Sequence, residues 1–213
     1  MRLMGRFGFG ASMDKQLTLE ELHKMEMAQL LKERETTEPD PVIWRWSPLE
    51  IAEFDIMLSV AYDYFHETDS HSPGPISLAE AGSGIGTKLY LAKHKYRLTE
   101  YGYEINPDYI AKAKALDVQC ELRDLGDLDN QPIWSAFDIV YIARPFKNDI
   151  FEAKWERSVH DAMRPGSVLI AAFAGVKPYS WECFYRRPFR GVWAKPKYEL
   201  DSPEPKRSLV SVS

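Results

Sequence analysis

The sequence predicts an α/β protein, a doubly wound, mostly parallel seven-stranded sheet with an N-terminal helical extension. Three observations carry this reading. Between Ile76 and Phe173, short apolar runs alternate with amphipathic ones, a pattern that implies parallel strands covered by helices on both faces. The first apolar run, Ser77-Leu78-Ala79-Glu80-Ala81, opens into Gly82-Ser83-Gly84-Ile85-Gly86-Thr87 and then a helix, the order that builds a ligand site at the carboxyl end of a strand. Near the end, 182–187 and 191–195 flank the turn Pro188-Phe189-Arg190 and read as the antiparallel pair that closes a sheet.

The elements follow in order. Residues 1–75 read as an arm and helical cap, 76–200 as the ligand-binding core and 201–213 as a frayed tail. Thr18-Leu19-Glu20-Glu21 is a capping box, in which hydroxyl and carboxylate satisfy each other's backbone amides, and it opens a helix to about Arg34. Leu19, Leu22, Met25, Met27 and Leu30 give that helix an imperfect apolar stripe, on which a partner or a second copy could dock through residues 18–34. Ser47-Pro48-Leu49-Glu50 is a second capping box with proline at the first helical position. Its helix runs to about Phe65 with Ile51, Phe54, Leu58 and Ala61 on one face. Trp44 and Trp46 either glue this cap to the core or line a pocket. Strands are expected near 76–81, 98–104, 117–121, 137–142 and 167–173, with helices near 86–95, 107–116 and 150–163.

Composition excludes several function classes. At 213 residues and 45% hydrophobic content, the chain has room for one core domain plus extensions. A net charge of −5 argues against a protein that coats nucleic acid. No apolar run approaches the ~20 residues of a membrane span, and the first ten residues lack an apolar signal core, so a cytoplasmic protein with no membrane partner is expected. The two cysteines, Cys120 and Cys183, lack metal-like spacing and read as reduced, partly buried thiols. His66 and His71 have no supporting carboxylates or cysteines and read as surface residues; His23, His94 and His160 are equally isolated, and no metal site is expected.

The chemistry concentrates around the glycine turn. Its glycines let the backbone turn sharply and approach a ligand closely. Glu80, two residues before Gly82, could accept hydrogen bonds from a ligand amine or hydroxyl. Glu104, eighteen residues after Gly86, would close the second strand beside the turn, where a carboxylate can take both hydroxyls of a ribose. Thr87 stands where a dinucleotide fingerprint wants a third glycine or alanine.

With these residues the chain resembles the class I S-adenosylmethionine-dependent methyltransferases over residues 76 to 195. The resemblance rests on Glu80, Gly82, Gly84 and Gly86 as E/D-x-G-x-G-x-G, on Glu104, on Asp138 opening the fourth strand, and on Met163-Arg164-Pro165-Gly166 before the fifth. It implies a Rossmann-like methyltransferase fold and S-adenosyl-L-methionine as cofactor. Glu80, Gly82, Ser83, Gly84, Gly86, Glu104 and Ile105 would hold the cofactor. Asp124, competing with Asp127 and Asp129, would meet the adenine amine, and Leu125 or Gly126 would offer backbone amides. In amino-group methyltransferases of this kind, the segment after the fourth strand reads Asp/Asn/Ser-Pro-Pro-Tyr/Phe and its ring stacks on a planar substrate. Here only Pro145-Phe146 match. Ala143 replaces the polar acceptor, and Arg144 offers a planar fork for a substrate carboxylate or phosphate or is a solvated loop residue.

The implied reaction is direct in-line methyl transfer to an unidentified acceptor, with no catalytic group assigned. A non-catalytic methyltransferase-like component and an NAD(P)-dependent oxidoreductase are the alternatives. Thr87 and the Pro165-Gly166 turn count against the latter. Arg186, Arg187, Arg190, Lys195 and Lys197 lie among Trp181, Phe184, Tyr185, Phe189, Trp193 and Tyr198, a string that suits a terminal hairpin better than a nucleic-acid track.

Overall fold

The computed structural model describes residues 16–36, 50–68, 74–173, 178, 180–188 and 190–197. Trp44, Trp46, Ser47, Pro48, His71, Phe189, Tyr198, the arm and the tail lie outside the described residues.

Two helices, α1 (Leu19–Thr36) and α2 (Ile51–Thr68), precede the sheet. Strands β1 (Ser77–Ala81), β2 (Thr99–Glu104), β3 (Cys120–Leu122), β4 (Ile139–Ile142), β5 (Val168–Ala172), β6 (Glu182–Arg187) and β7 (Arg190–Ala194) form one sheet in the order β3-β2-β1-β4-β5-β7-β6. The first five are parallel, and β7 inserts antiparallel between β5 and β6. Helices α3 (Thr87–Tyr96), α4 (Pro107–Ala115) and α5 (Asp149–Ala162) make the crossovers.

Side chains alternate across each strand, so the sheet builds two cores. Leu78, Ile139, Tyr141 and Ile170 point to the face covered by α2, α3 and α4. Ala79, Val140, Ile142 and Leu169 point to the face where Trp155 and Val159 of α5 meet Trp134 and Tyr103. The expected apolar face of α2 is buried, joined by Met57 and Phe65, so this helix shares a core with the strands.

Helix caps follow sequence chemistry. The Thr18 amide donates to Glu21 Oε2 at 2.8 Å, and the Glu21 amide donates to Thr18 Oγ1 at 3.2 Å, the reciprocal capping box. Pro107 occupies the first turn of α4, and Asn106 caps it by accepting from the Asp108 amide.

Four expectations need correction. Helix α2 begins at Ile51, three residues after Pro48; Glu50 is non-helical, and its carbonyl accepts the Glu53 and Phe54 amides. The buried face of α1 is Leu22, Glu26, Gln29 and Glu33, while Met27 is exposed, because the polar members find partners on α3 and α4. Cys183 is exposed because β6 lies at the sheet edge. His160 is buried against Trp181, and burial lowers its pKa to about 4.

Candidate functional site

The glycine turn sits at the carboxyl end of β1, in the centre of the parallel sheet. The Gly82 and Ser83 amides both donate to the Tyr103 carbonyl, at 2.8 and 3.0 Å, which ties the turn to the end of β2. Gly82, Gly84 and Gly86 have φ of 73°, 55° and 81°, the left-handed region that glycine enters without penalty. They differ in surroundings. A Cβ on Gly86 would stand 2.7 Å from Val118 and 2.9 Å from the Ala113 Cβ, so the third glycine serves close helix–strand packing. A Cβ on Gly82 would meet nothing within 4 Å, which leaves open space beside the first turn residue. Gly102 of β2, to which no role was assigned from sequence, keeps the turn seated: its Cβ would stand 2.5 Å from Ser83 Oγ. Ser83 Oγ in turn lies 3.1 Å from Cys120 Sγ.

Glu104 ends β2 and is buried at 7% exposure. Its Oε2 accepts the Gly84 amide at 2.8 Å, and its Oε1 accepts the Ile105 and Asn106 amides at 2.8 and 2.9 Å. A carboxylate has about four acceptor sites, and three are filled by backbone. The expected two-hydroxyl grip therefore reduces, in this geometry, to one free acceptor site on Oε2. Burial raises the Glu104 pKa against the lowering pull of these amides, and Glu33 of α1 adds to the rise.

Glu80 points from the middle of β1 to the helix-covered face, in register with Gly102 and Tyr141. It is 3% exposed, and its Oε2 has no hydrogen-bond partner. Burial pushes its pKa up to about 8, opposed by Lys88 and reinforced by Glu26 and Glu104. Glu26 Oε1 accepts from Thr87 Oγ1 at 2.6 Å and from Lys88 Nζ at 2.8 Å, so α1 lies against the first turn of α3. Farther along α1, Gln29 binds Lys112, and Glu33 accepts from Tyr109. Glu26 and Lys88 escaped sequence reading because a buried polar stripe at helical spacing is indistinguishable from a solvated one until its partners are known.

The remaining expected residues spread along the carboxyl edge. Asp124 is exposed, and its Oδ1 accepts the Gly126 amide at 2.7 Å, shaping the loop after β3. Asp127 caps the short 3-10 helix Leu128–Asn130, and Asp129 is exposed. Leu125 is buried, and its carbonyl accepts from Gln131 Nε2, whose own Oε1 accepts from Trp155 Nε1 at 2.9 Å. Gln131 and Trp155 thus link the loop after β3 to α5, a role no motif signals. Ile105 is exposed at the mouth.

The loop after β4 departs from expectation. Arg144 has φ 47° and pairs with Asp149 in the first turn of α5, an exposed ion pair that ties the loop to that helix. Phe146 is 7% exposed, with its ring against Phe151 and Trp155, so it packs the second core instead of facing a planar substrate. Its amide donates to Glu152 Oε2 at 2.7 Å. Burial and the neighbouring Glu156 raise the Glu152 pKa to about 8.

Among the described residues no cluster of three or more histidine, cysteine or acidic side chains is arranged to hold a metal ion. Nor is any helix long and apolar enough to cross a membrane. Basic residues of the hairpin reach an acid of α2: Arg190 and, from the surface, Arg187 approach Glu53, which also accepts from Tyr185 Oη.

No family model matches the chain, and no curated protein matches it in sequence. Solved structures do resemble it. An RNA methyltransferase from Salinibacter ruber, in complex with S-adenosyl-L-homocysteine, aligns with a TM-score of 0.54 at 18% identity, over 73% of this chain and 97% of that one. Monomeric WbdD aligns with a TM-score of 0.51 at 11% identity, over 69% of this chain and 41% of that one. The chain therefore spans less than half the length of WbdD. Strand order, antiparallel β7 and these likenesses define the fold as the Rossmann-like fold of the class I methyltransferases.

Proposed function

We propose that this protein is an S-adenosyl-L-methionine-dependent methyltransferase. The observation that carries the reading is the placement of Glu104, a buried carboxylate closing β2 with one oxygen on the Gly84 amide of the glycine turn. The residues present fit an adenosyl amino-acid cofactor. Glu80 keeps an unpartnered oxygen for an amine, Glu104 keeps one acceptor site for a ribose hydroxyl, and the space beside Gly82 admits a ligand backbone. Asp124, Leu125 and Gly126, on the loop after β3, would border the adenine, and Ile105 would cover one side of it.

When bound, the cofactor supplies an electrophilic methyl group, and direct in-line transfer needs from the protein mainly alignment and exclusion of water. The chain's residues answer that need. Glu104 ties down the glycine turn, Glu152 holds the loop after β4 through the Phe146 amide, and α1 packs on the first turn of α3 through Glu26. The acceptor is an unassigned molecule whose entrance is the loop 143–147, with nucleic acid as a secondary candidate. Residence in the cytoplasm accords with the reading.

The test is isothermal titration calorimetry with S-adenosylmethionine and S-adenosylhomocysteine, with NAD and NADP as controls. Saturable binding of the adenosyl ligands alone is expected. Glu104→Gln, which cannot accept from all three amides and a hydroxyl as an anion, should weaken it by about tenfold or more. Binding of NAD instead, or of no adenosyl ligand by folded protein, overturns the reading.

A further inference from the structure

Three unpartnered polar atoms are buried on one side of the glycine turn. They are Glu80 Oε2 from β1, Glu26 Oε2 from α1 and Tyr141 Oη from β4. Their residues are 3%, 0% and 1% exposed. Glu80 and Tyr141 are neighbours across the β1–β4 ladder, on the same face of the sheet. Each of the three interacts electrostatically with the other two. An orphaned buried acceptor costs free energy unless a ligand satisfies it. Here three orphans come from three separate elements whose charges act on one another, and among the described residues the only cation that acts on Glu80 is Lys88, already paired with Glu26 Oε1.

We propose that Glu26 and Glu80 form a two-carboxylate receptor for one alkylammonium group, with Tyr141 Oη as its third oxygen, so that α1 is a wall of the ligand site. The inference rests on the cofactor reading above, since the ammonium it assigns is that of the cofactor's amino-acid end. What it adds is Glu26, a residue outside the strand–turn–helix unit, and a requirement for α1 in binding. In the free protein two carboxyls share one cation, Lys88, and burial keeps Glu80 protonated at neutral pH. A second cation between them restores one charge per carboxylate, and the Glu80 proton leaves to solvent. The charged or titratable groups facing Glu80 are Lys88 of α3, Glu26 of α1, Glu104 of β2, Cys120 of β3 and Tyr141 of β4.

The experiment is calorimetry of the full chain with S-adenosylhomocysteine and with 5′-methylthioadenosine, which shares the adenosyl group but lacks the ammonium. Wild type is titrated at pH 7 in phosphate and in Tris, whose ionisation enthalpies differ. Release of close to one proton per S-adenosylhomocysteine is expected, and none for methylthioadenosine. Glu26→Gln keeps an acceptor for Thr87 and Lys88, so it should fold. It should bind S-adenosylhomocysteine about tenfold to a hundredfold more weakly, with methylthioadenosine unchanged. Equal losses for both ligands, no loss for either, or no proton release by wild type overturns the inference while leaving the cofactor reading intact. Failure of wild type to bind either adenosyl ligand overturns both.

Discussion

At the residue scale, the glycines of the turn make separable contributions. Gly86 and Gly82 both have positive φ, yet a methyl group on Gly86 would collide with Val118 and Ala113, and one on Gly82 would enter open space. Gly86→Ala should destabilise the protein by about 2–4 kcal/mol through overpacking plus strain. Gly82→Ala should cost only about 1 kcal/mol of strain but should impede ligand approach. Urea denaturation measures the first effect and calorimetry the second; equal stability of the two variants would contradict the packing described. The places of Glu80, the three glycines and Glu104 at the ends of β1 and β2 were legible in the sequence because they depend on local order along the chain. Glu26 was not, because its meaning depends on Thr87 and Lys88, more than sixty residues away. The burial of Phe146 was hidden for another reason: its aromatic partners, Phe151 and Trp155, lie only five and nine residues on, but they reach it only once α5 folds back onto the sheet.

At the element scale, strand and helix positions matched the alternating pattern closely, since apolar runs bounded by glycine, proline and caps carry their own boundaries. The start of α2 did not: Glu50 is non-helical and the helix opens at Ile51, four residues after the capping serine. The coupling between α2 and the terminal hairpin was equally invisible. Glu53 accepts from Tyr185 Oη at 2.5 Å and lies 3.3 Å from Arg190, two contacts that join α2 to β6 and β7. These partners hold its pKa below the usual carboxylate value, the Tyr185 hydrogen bond first. Its contribution is therefore complete above the unfolded pKa and lost as pH falls through the lowered folded one. Glu53→Gln should lower hydrogen-exchange protection across Glu182–Ala194 while leaving β1, β2 and β4 unchanged. Uniform loss across all strands would show instead that the hairpin and the parallel strands open as one unit.

At the scale of the whole molecule, buried titratable groups give the free protein a recognisable pH profile. Glu80 and Glu152 are raised to about 8, so their protonated forms stabilise the fold fully below the unfolded value near 4.5. That contribution is lost as pH rises toward 8. His160 is lowered to about 4, so it opposes them only below 6.5, where the unfolded chain takes up its proton first. Above pH 6.5 the carboxyl loss stands without His160's opposition. Thermal midpoints should fall from pH 6.5 to about 8, and Glu152→Gln should make that decline shallower. A flat profile in wild type would contradict the burial of these groups.

The position of β6 has a consequence of another kind. Among the described residues it is the outermost strand, beyond β7 and mostly exposed, and one row of its backbone amides and carbonyls has no sheet neighbour there. Such a rim invites strands from other molecules to add themselves and grow insoluble assemblies. This strand carries two deterrents: the register irregularity between Cys183 and Tyr185, and the exposed charges of Glu182, Arg186 and Arg187. Neither is used by the glycine-turn site, which lies at β1, four strands in from this edge. Smoothing the bulge and replacing those charges with β-branched residues should leave that site intact, yet make the protein precipitate more readily as it is concentrated.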